Sequence, residues 1–446
     1  MRHLQRLGLF VLGFACVLQA APAADSASQF PLKDGDVWVM AGDSITAQHL
    51  HSNYFEAFCF ARYPQLKFAF RNSGVGGHTI PSTLQRFDYD IGAWKPTVVS
   101  VELGMNDKGG TPTEKFISNM GTMTERIRSV KARPVILAPS PVNDGGVTGK
   151  WNGNQKLHDY AVALKEFSAK EKVPYADQFH ALIDLWGKNK PRENVANSLK
   201  TLTQLVQDDK LEGVEHLKAF LAVQEKNPSK PVSLQGDPVH PGAPGQLMMA
   251  AALLKDLGAD GFVSSVAIDA AGKVEAKGCK VENVKAADGK ISFDRTDERL
   301  PFPIPDEARA VVPMYPTILD LSQYTLKATG LKGSSYVLKI NGIPTATLSA
   351  KELDQGVNLT TFGPTPGAKE TNPVAAQGKA ILAAVAAKEG LVGQWRGLSQ
   401  KAHAPNADAN LKDQLAALTK KVEEADQKIR DAAKPQKLTF ELTPAQ

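Results

Sequence analysis

Cysteine is scarce in this chain of 446 residues, which has only three. One of them, Cys16, falls in an N-terminal stretch that reads as a removable leader. A dense disulfide framework is therefore excluded, and a hydrophobic core has to supply the stability. Cys59 and Cys279 leave room for a single bridge at most, and they fall in segments of different texture. Charge of one sign is scarce too: the formal net charge is +5, or about +3 once Arg2 and Arg6 are set aside with the leader. So mild a balance over so long a chain gives no reason to expect a nucleic acid partner. Several chemical signatures are missing as well. There is no G-x-S-x-G elbow, no HExxH or paired-cysteine motif for zinc, and no GK[ST] ending for a phosphate loop.

The first 23 residues carry Arg2 and Arg6, then the apolar stretch Leu7 to Leu18, then the small-residue site Ala21-Pro22-Ala23. This is the pattern of a secretory signal peptide, and it predicts a secreted or periplasmic product. The apolar stretch is shorter than the roughly twenty residues of a membrane-spanning helix, so stable membrane insertion is not expected. A buried N-terminal helix is the alternative. The composition, 42% hydrophobic and 22% charged, is that of a globular protein, and the length calls for more than one structural unit.

Five short apolar runs alternate with helix-like stretches: Val37 to Met40, Phe68 to Phe70, Val98 to Leu103, Val135 to Leu137 and Val173 to Tyr175. Such alternation predicts parallel βαβ units. Helices are expected near 47–62, 79–93, 113–131 and 153–171, with Phe116, Met120, Met123, Ile127 and Val130 at helical spacing. A polar helical region is expected at 181–230. The loop Asp237-Pro238-Val239-His240 then leads into the apolar stretch Leu247 to Leu257, so the α/β unit is assigned to 30–258. From 262 to 362 short alternating strands and an Asn341-Gly342 turn signal predict a β-rich module. Residues 374–446 read as a helical tail with a possible final strand at Lys437 to Leu442. Leu411, Leu415, Leu418, Val422, Ala425 and Ile429 have heptad-like spacing there, which suits packing on the same chain or dimerisation. The oligomeric state stays open.

Four short motifs carry possible chemistry. Gly42-Asp43-Ser44 follows the first strand, where Ser44 is either an exposed nucleophile with its N–H facing a developing anion or a helix N-cap. Asn72-Ser73-Gly74-Val75-Gly76-Gly77 follows the second strand, and its glycines suit an oxyanion donor, a phosphate cradle or a plain turn. Gly104-Met105-Asn106-Asp107 follows the third, where the Asn106 amide can donate to an oxyanion or serve in an ordinary turn. In Asp237-Pro238-Val239-His240 one local turn can bring the carboxylate to Nδ1 of the imidazole, leaving Nε2 free to take a proton; otherwise the two are solvated bystanders.

If the sheet is wound in the order 2-1-3-4-5, strands one and three flank the switch point where open α/β sheets bind ligands, and all four motifs converge there. With the four motifs in this order, residues 36–258 resemble the SGNH (GDSL-type) hydrolases, whose signature blocks center on Ser, Gly, Asn and His. Gly42 to Ser44 matches the GDS block, Asn72, Gly74 and Gly77 match N-x-G-x-x-G, Gly104 to Asp107 matches G-x-N-D, and Asp237 to His240 matches D-x-x-H.

The resemblance implies a three-layer, flavodoxin-like α/β fold with a five-stranded parallel sheet. It implies a serine esterase in which His240 deprotonates Ser44 and Asp237 orients the imidazole. Ser44 N–H, Gly77 N–H and the Asn106 amide would hold the oxyanion. Gly76, adjacent to Gly77, makes the glycine the least determined of these. No cofactor or metal is implied, although His49, His51, His78 and Asp43 are the residues a metal reading would use. The expected substrate is a small-molecule or polysaccharide ester, with O-acetyl carbohydrate preferred over the lysophospholipids or thioesters that other members take. The non-enzymatic alternative is a polysaccharide-binding protein on a degenerate scaffold. Trp395 and Arg396 in the tail read equally well as core or as ligand contacts.

Overall fold

The computed structural model describes residues 30–143, 152–183, 236–363 and 371–445. The expected leader at 1–23 and most of the helical region expected at 181–230 lie outside the described residues.

Five strands, β1 (Asp36–Gly42), β2 (Phe68–Gly74), β3 (Val98–Glu102), β4 (Arg133–Leu137) and β5 (Tyr175–Ala176), pair in the order β2-β1-β3-β4-β5. Every pairing is parallel, which agrees with the expected α/β class. Parallel strands are covered on both faces, so β3 is buried throughout and mostly apolar, with Val98, Val99 and Val101 interrupted only by Ser100 before Glu102. The fifth strand begins later than the expected Val173. Pro174 has no N–H to give a ladder, though its carbonyl accepts from Ile136 N at 2.9 Å.

The sheet's two faces hold separate apolar clusters because strand side chains alternate. Trp38 and Met40 of β1 face one, with Phe55, Phe58 and Phe70; Val39 and Ala41 face the other. The first face is covered by α2 (His51–Arg62) and the apolar helix Ala243–Asp256, the second by α5 (Thr113–Ser129) and α6 (Gln155–Glu171). On α5 the spacing of Phe116, Met120, Met123 and Ile127 buries one stripe, each side chain contributing about 1.5–3 kcal/mol. Phe116 stacks on Tyr160 of α6 with ring centers 3.8 Å apart.

The helix expected at 47–62 is broken into α1 (Ser44–Ala47) and α2. His49 between them has φ 57°, a left-handed conformation that a right-handed helix cannot continue through. The stretch expected at 79–93 is likewise divided, into α3 (Ile80–Gln85), α4 (Phe87–Asp90) and a 3-10 turn at Gly92–Trp94.

The β-rich region forms two sheets. One has four strands, β13 (Val357–Asn358), β10 (Gln323–Thr329), β6 (Phe262–Asp269) and β7 (Val274–Lys277). The other has β12 (Ile343–Ser349), β11 (Ser335–Ile340), β14 (Lys437–Pro444), β9 (Lys290–Asp297) and β8 (Cys279–Ala287). Both residues of Asp288-Gly289 and of Asn341-Gly342 have positive φ, as two-residue hairpin turns require. Strand β14 lies inside its sheet, between β11 and β9, so the tail completes the β region. Leu300 to Leu321, in turn, sends Phe302, Ile304, Val311 and Ile318 into the α/β core.

The tail helices Pro373–Ala402 and Ala409–Ala432 pack on each other and on the α/β unit. Val422, Ala425 and Ile429 are buried within the chain. Trp395 belongs to the core: its ring stacks on Trp94 at 3.5 Å. Polar ties join the same surfaces. Arg71 makes a two-pronged ion pair with Asp426, at 3.0 and 2.7 Å. Lys388 is fully buried, 2.8 Å from Glu56 and 2.9 Å from the Phe70 carbonyl, and it also meets Glu389. Cys59 and Cys279 are both free thiols. Among the described residues no helix is long and apolar enough to cross a membrane.

Lys388→Met keeps the aliphatic stem but leaves Glu56 and Glu389 buried without their cation. Breaking a buried ion pair costs about 3–5 kcal/mol, so the urea midpoint should fall sharply. Lys280→Met removes the exposed partner of Glu282 and should cost less than about 1 kcal/mol. Equal midpoints for the two variants would contradict this account of the tail contact.

Candidate active site

The registers Gly42↔Gly74 and Gly42↔Glu102 set the carboxyl ends of β2, β1 and β3 level with one another. The three strand-end motifs of the sequence therefore emerge along one sheet edge. Ser44 is the first residue of α1, and the N-cap is Asp43, whose Oδ1 accepts from Ile45 N at 2.9 Å. The capping role that Ser44 could have filled is thus taken by its neighbour. Its hydroxyl lies 2.8 Å from His240 Nε2.

His240 is held by a local turn. Asp237 Oδ1 accepts from Val239 N and His240 N, each at 2.7 Å, and Oδ2 is 2.8 Å from His240 Nδ1. A carboxylate only accepts, so Nδ1 carries the ring proton and Nε2 is left as the acceptor facing Ser44. Slight burial would raise the Asp237 pKa, but the hydrogen bonds from His240 N, the His240 ring and Val239 N outweigh it and hold the pKa below its usual value. Gly236 closes the turn through a bridge with Pro241. Its φ is 100°, and a Cβ there would stand 2.3 Å from the His240 carbonyl oxygen, so only glycine fits. Asn143 N donates to the Pro238 carbonyl at 2.7 Å, tying the turn to the chain after β4.

Gln246 couples this turn to the Ser44 side of the site. Its Oε1 accepts from His51 N at 2.9 Å and lies 2.9 Å from His51 Nδ1, while Nε2 donates to the Pro241 carbonyl at 3.2 Å and to Gln48. Burial holds His51 well below the usual imidazole range, at about 4, so it is neutral and donates from Nδ1. Asn72 does similar work from β2. It donates to the Thr46 carbonyl and Ser52 Oγ, both at 2.8 Å, and accepts from Gly74 N at 2.8 Å.

The loop Gly74 to His78 passes beside Ser44. A Cβ on Gly76 would lie 3.9 Å from Ser44 Cβ, whereas one on Gly77, at φ 75°, would meet nothing within 4 Å. Asn106 reaches the same place from the end of β3. Its Nδ2 donates to the His78 carbonyl at 3.0 Å and to Asp43 Oδ2 at 3.3 Å. The structure thus brings together Ser44, Gly76, Gly77, Asn106, Asp237 and His240.

Beneath them lies a layer of buried carboxyls, two of which, Asp43 and Asp107, stand in the sequence motifs, while the third, Glu102, did not stand out in the sequence. Burial raises Asp43 to about 6, with Ile45 N opposing, and raises Asp107 to about 6, with Ile80 N opposing. Burial and then the nearby Asp43 push Glu102 well above the carboxylate range, while it accepts from Thr46 Oγ1 at 2.8 Å. The signal for Glu102 was a lone acid inside the apolar run Val98 to Leu103. For Gln246 it was a lone amide at the head of an apolar helix.

The residues of the metal reading separate. His49 faces Glu389 at 3.4 Å, His51 faces Gln246, and His78 Nδ1 accepts from Arg86 Nε at 3.2 Å. Among the described residues no three acidic, histidine or cysteine side chains are grouped to hold a metal ion.

The model of the GDSL-like lipase/acylhydrolase family matches residues 40–247. Among solved structures, the fold is similar to that of BT4096, a gut microbial diltiazem-metabolizing enzyme. The identity there is 22% and the TM-score 0.66, over 94% of this chain and 100% of that one. Axe2, an acetylxylan esterase from Geobacillus stearothermophilus, is similar over 51% of this chain and 95% of its own, at 17% identity and a TM-score of 0.36. No curated protein matches the chain.

The raised carboxyls have a consequence for stability. Asp107 titrates near 6 when folded and near 3.8 as a free side chain. As pH rises through that interval the unfolded chain has already lost the proton that the native state keeps, so native stability falls. Asp107→Asn removes this dependence. Its urea midpoint should gain on that of the parent between pH 4 and 6 and show no further relative gain above about 6.5. A difference that is flat or reversed from pH 4 to 6 would contradict the assignment.

Proposed function

We propose, for a carboxylic ester hydrolase whose residues 40–247 belong to the GDSL-like lipase/acylhydrolase family, that Ser44 is the nucleophile and His240 the base. The observation that carries this reading is the line from Asp237 through His240 to Ser44, with 2.8 Å at each contact. His240 Nε2 takes the Ser44 proton as Oγ attacks the ester carbonyl, and the ionised Asp237 stabilises the imidazolium. Ser44 N–H, Gly77 N–H and Asn106 Nδ2 receive the oxyanion, the Asn106 amide giving up its longer contact with Asp43. His240 then protonates the leaving alkoxide. Water attacks the acyl-serine with the same base, and the acid is released. No cofactor enters these steps.

For the substrate we infer a short O-acyl ester, in the first instance O-acetyl, on extracellular carbohydrate. Gly76 and Gly77 are exposed beside the nucleophile and offer a small, open shelf suited to a short acyl group. Appended β sheets and the expected leader favour a large, external alcohol component. Export is part of the same proposal: N-terminal sequencing of the secreted product should start after Ala23, and retention of Arg2 and Arg6 in it would refute the cleavage.

Ser44→Ala and His240→Ala should each lower kcat on p-nitrophenyl acetate by at least about three orders of magnitude. Parent-like turnover by Ser44→Ala would remove the nucleophile assignment. Across p-nitrophenyl esters of increasing length the rate should peak at acetyl, and acetylated glycans should release acetate. A preference for eight carbons or more would replace the carbohydrate reading with a lipolytic one.

A further inference from the structure

The loop Gly74 to His78 contains Gly76-Gly77, both exposed and one at positive φ; its backbone is tied from Val75 N to the Gly42 carbonyl at 3.1 Å and across its turn from His78 N to the Val75 carbonyl at 3.2 Å. Two guanidinium groups clamp its ends. Arg396, from the tail helix Pro373–Ala402, donates NH1 to the Gly74 carbonyl at 2.9 Å and a two-pronged pair to Asp90 at 2.5 and 2.8 Å. Arg86 pairs with the same Asp90, donates to Ser73 Oγ at 2.8 Å, and donates Nε to His78 Nδ1. The His78 carbonyl is in turn the acceptor for Asn106 Nδ2 at 3.0 Å. A continuous set of hydrogen bonds therefore runs from the tail helix to Gly74 and His78 at the two ends of the loop that carries Gly77, and on through the His78 carbonyl to Asn106. Ser399 Oγ adds a second tie one turn further on, to the Tyr89 carbonyl beside Asp90.

We propose that Arg396 is a positioning residue for ester hydrolysis: through Gly74 O and Asp90 it fixes the Gly74–His78 loop so that Gly77 N–H and the Asn106 amide meet the oxyanion. The inference rests on the reading of Ser44 and Gly77 given above. It makes the C-terminal helices part of the hydrolase, although they lie outside residues 40–247. A planar, forked donor is what this position uses, since one group has to satisfy a carbonyl and both oxygens of a carboxylate together.

The test uses the full chain with p-nitrophenyl acetate. Arg396→Met retains the side-chain stem, and Asp90 keeps Arg86 as its cation. The expected result is a fall in kcat of at least tenfold with KM within twofold of the parent and the pH profile unmoved, because His240 and Asp237 are untouched. Arg396→Lys, which restores one donor, should recover part of the lost kcat at a parent-like melting temperature. A kcat for folded Arg396→Met within threefold of the parent overturns the proposal. Should Arg396→Met not fold, Arg396→Lys decides alone: kcat below half the parent's supports the role, and parent-like kcat overturns it. Ser44→Ala, run in parallel, separates the two claims. Activity in Ser44→Ala refutes the underlying reading, whereas an inert Ser44→Ala beside a fully active Arg396→Met refutes only the positioning role.

Discussion

Ser44 and His240 stand 196 positions apart and meet at 2.8 Å, so the site depends on the constraint that holds the end of β1 against the turn before the helix Ala243–Asp256. Gln246 supplies it. One buried amide side chain accepts from the head of α2 and donates to the residue that follows His240, so the two halves of the contact share an anchor. The level ends of β1, β2 and β3 then add the Gly77 loop and Asn106 from the other side. Movement of any one of these strands by a single residue would withdraw its motif by more than 3 Å, more than any hydrogen bond in the site can absorb.

The interior beneath the site is unusually polar for a hydrophobic fold. Asp43, Glu102 and Asp107 are buried where burial raises each pKa, and each has a hydrogen-bond partner that fixes a neighbouring piece of backbone or side chain. Buried polar groups of this kind are costly unless they are paired. Here they orient the segments that carry Ser44 and Asn106, and the surrounding apolar clusters on both sheet faces supply the compensating stability. The tail belongs to the same arrangement. Lys388, Trp395, Arg396 and Asp426 all meet residues of the α/β unit, and β14 lies inside a sheet of the β-rich region.

The α/β fold was legible because parallel strands are buried on both faces and so print short apolar runs, and because α5 prints one face at helical spacing. The four site motifs were legible for a related reason: each directly follows a strand or precedes a helix, where a short segment carries its own geometry. Other features were hidden because they depend on residues distant in sequence. Nothing near Arg396 indicates Asp90, 306 positions away, and the partner of Gln246 at His51 is 195 positions off. His49 broke an expected helix through a positive φ that its residue type does not announce. The placing of β14 inside its sheet was likewise beyond a reading that sees strands one at a time.

The central claim is that Ser44 Oγ is the atom acylated during turnover. Treatment with a fluorophosphonate, followed by peptide mapping, tests it directly. The account predicts one stoichiometric phosphonyl adduct on Ser44, esterase activity lost in proportion to it, and no adduct in His240→Ala under the same conditions. Activity that survives complete modification of Ser44, or inactivation by an adduct on a different residue, would contradict it.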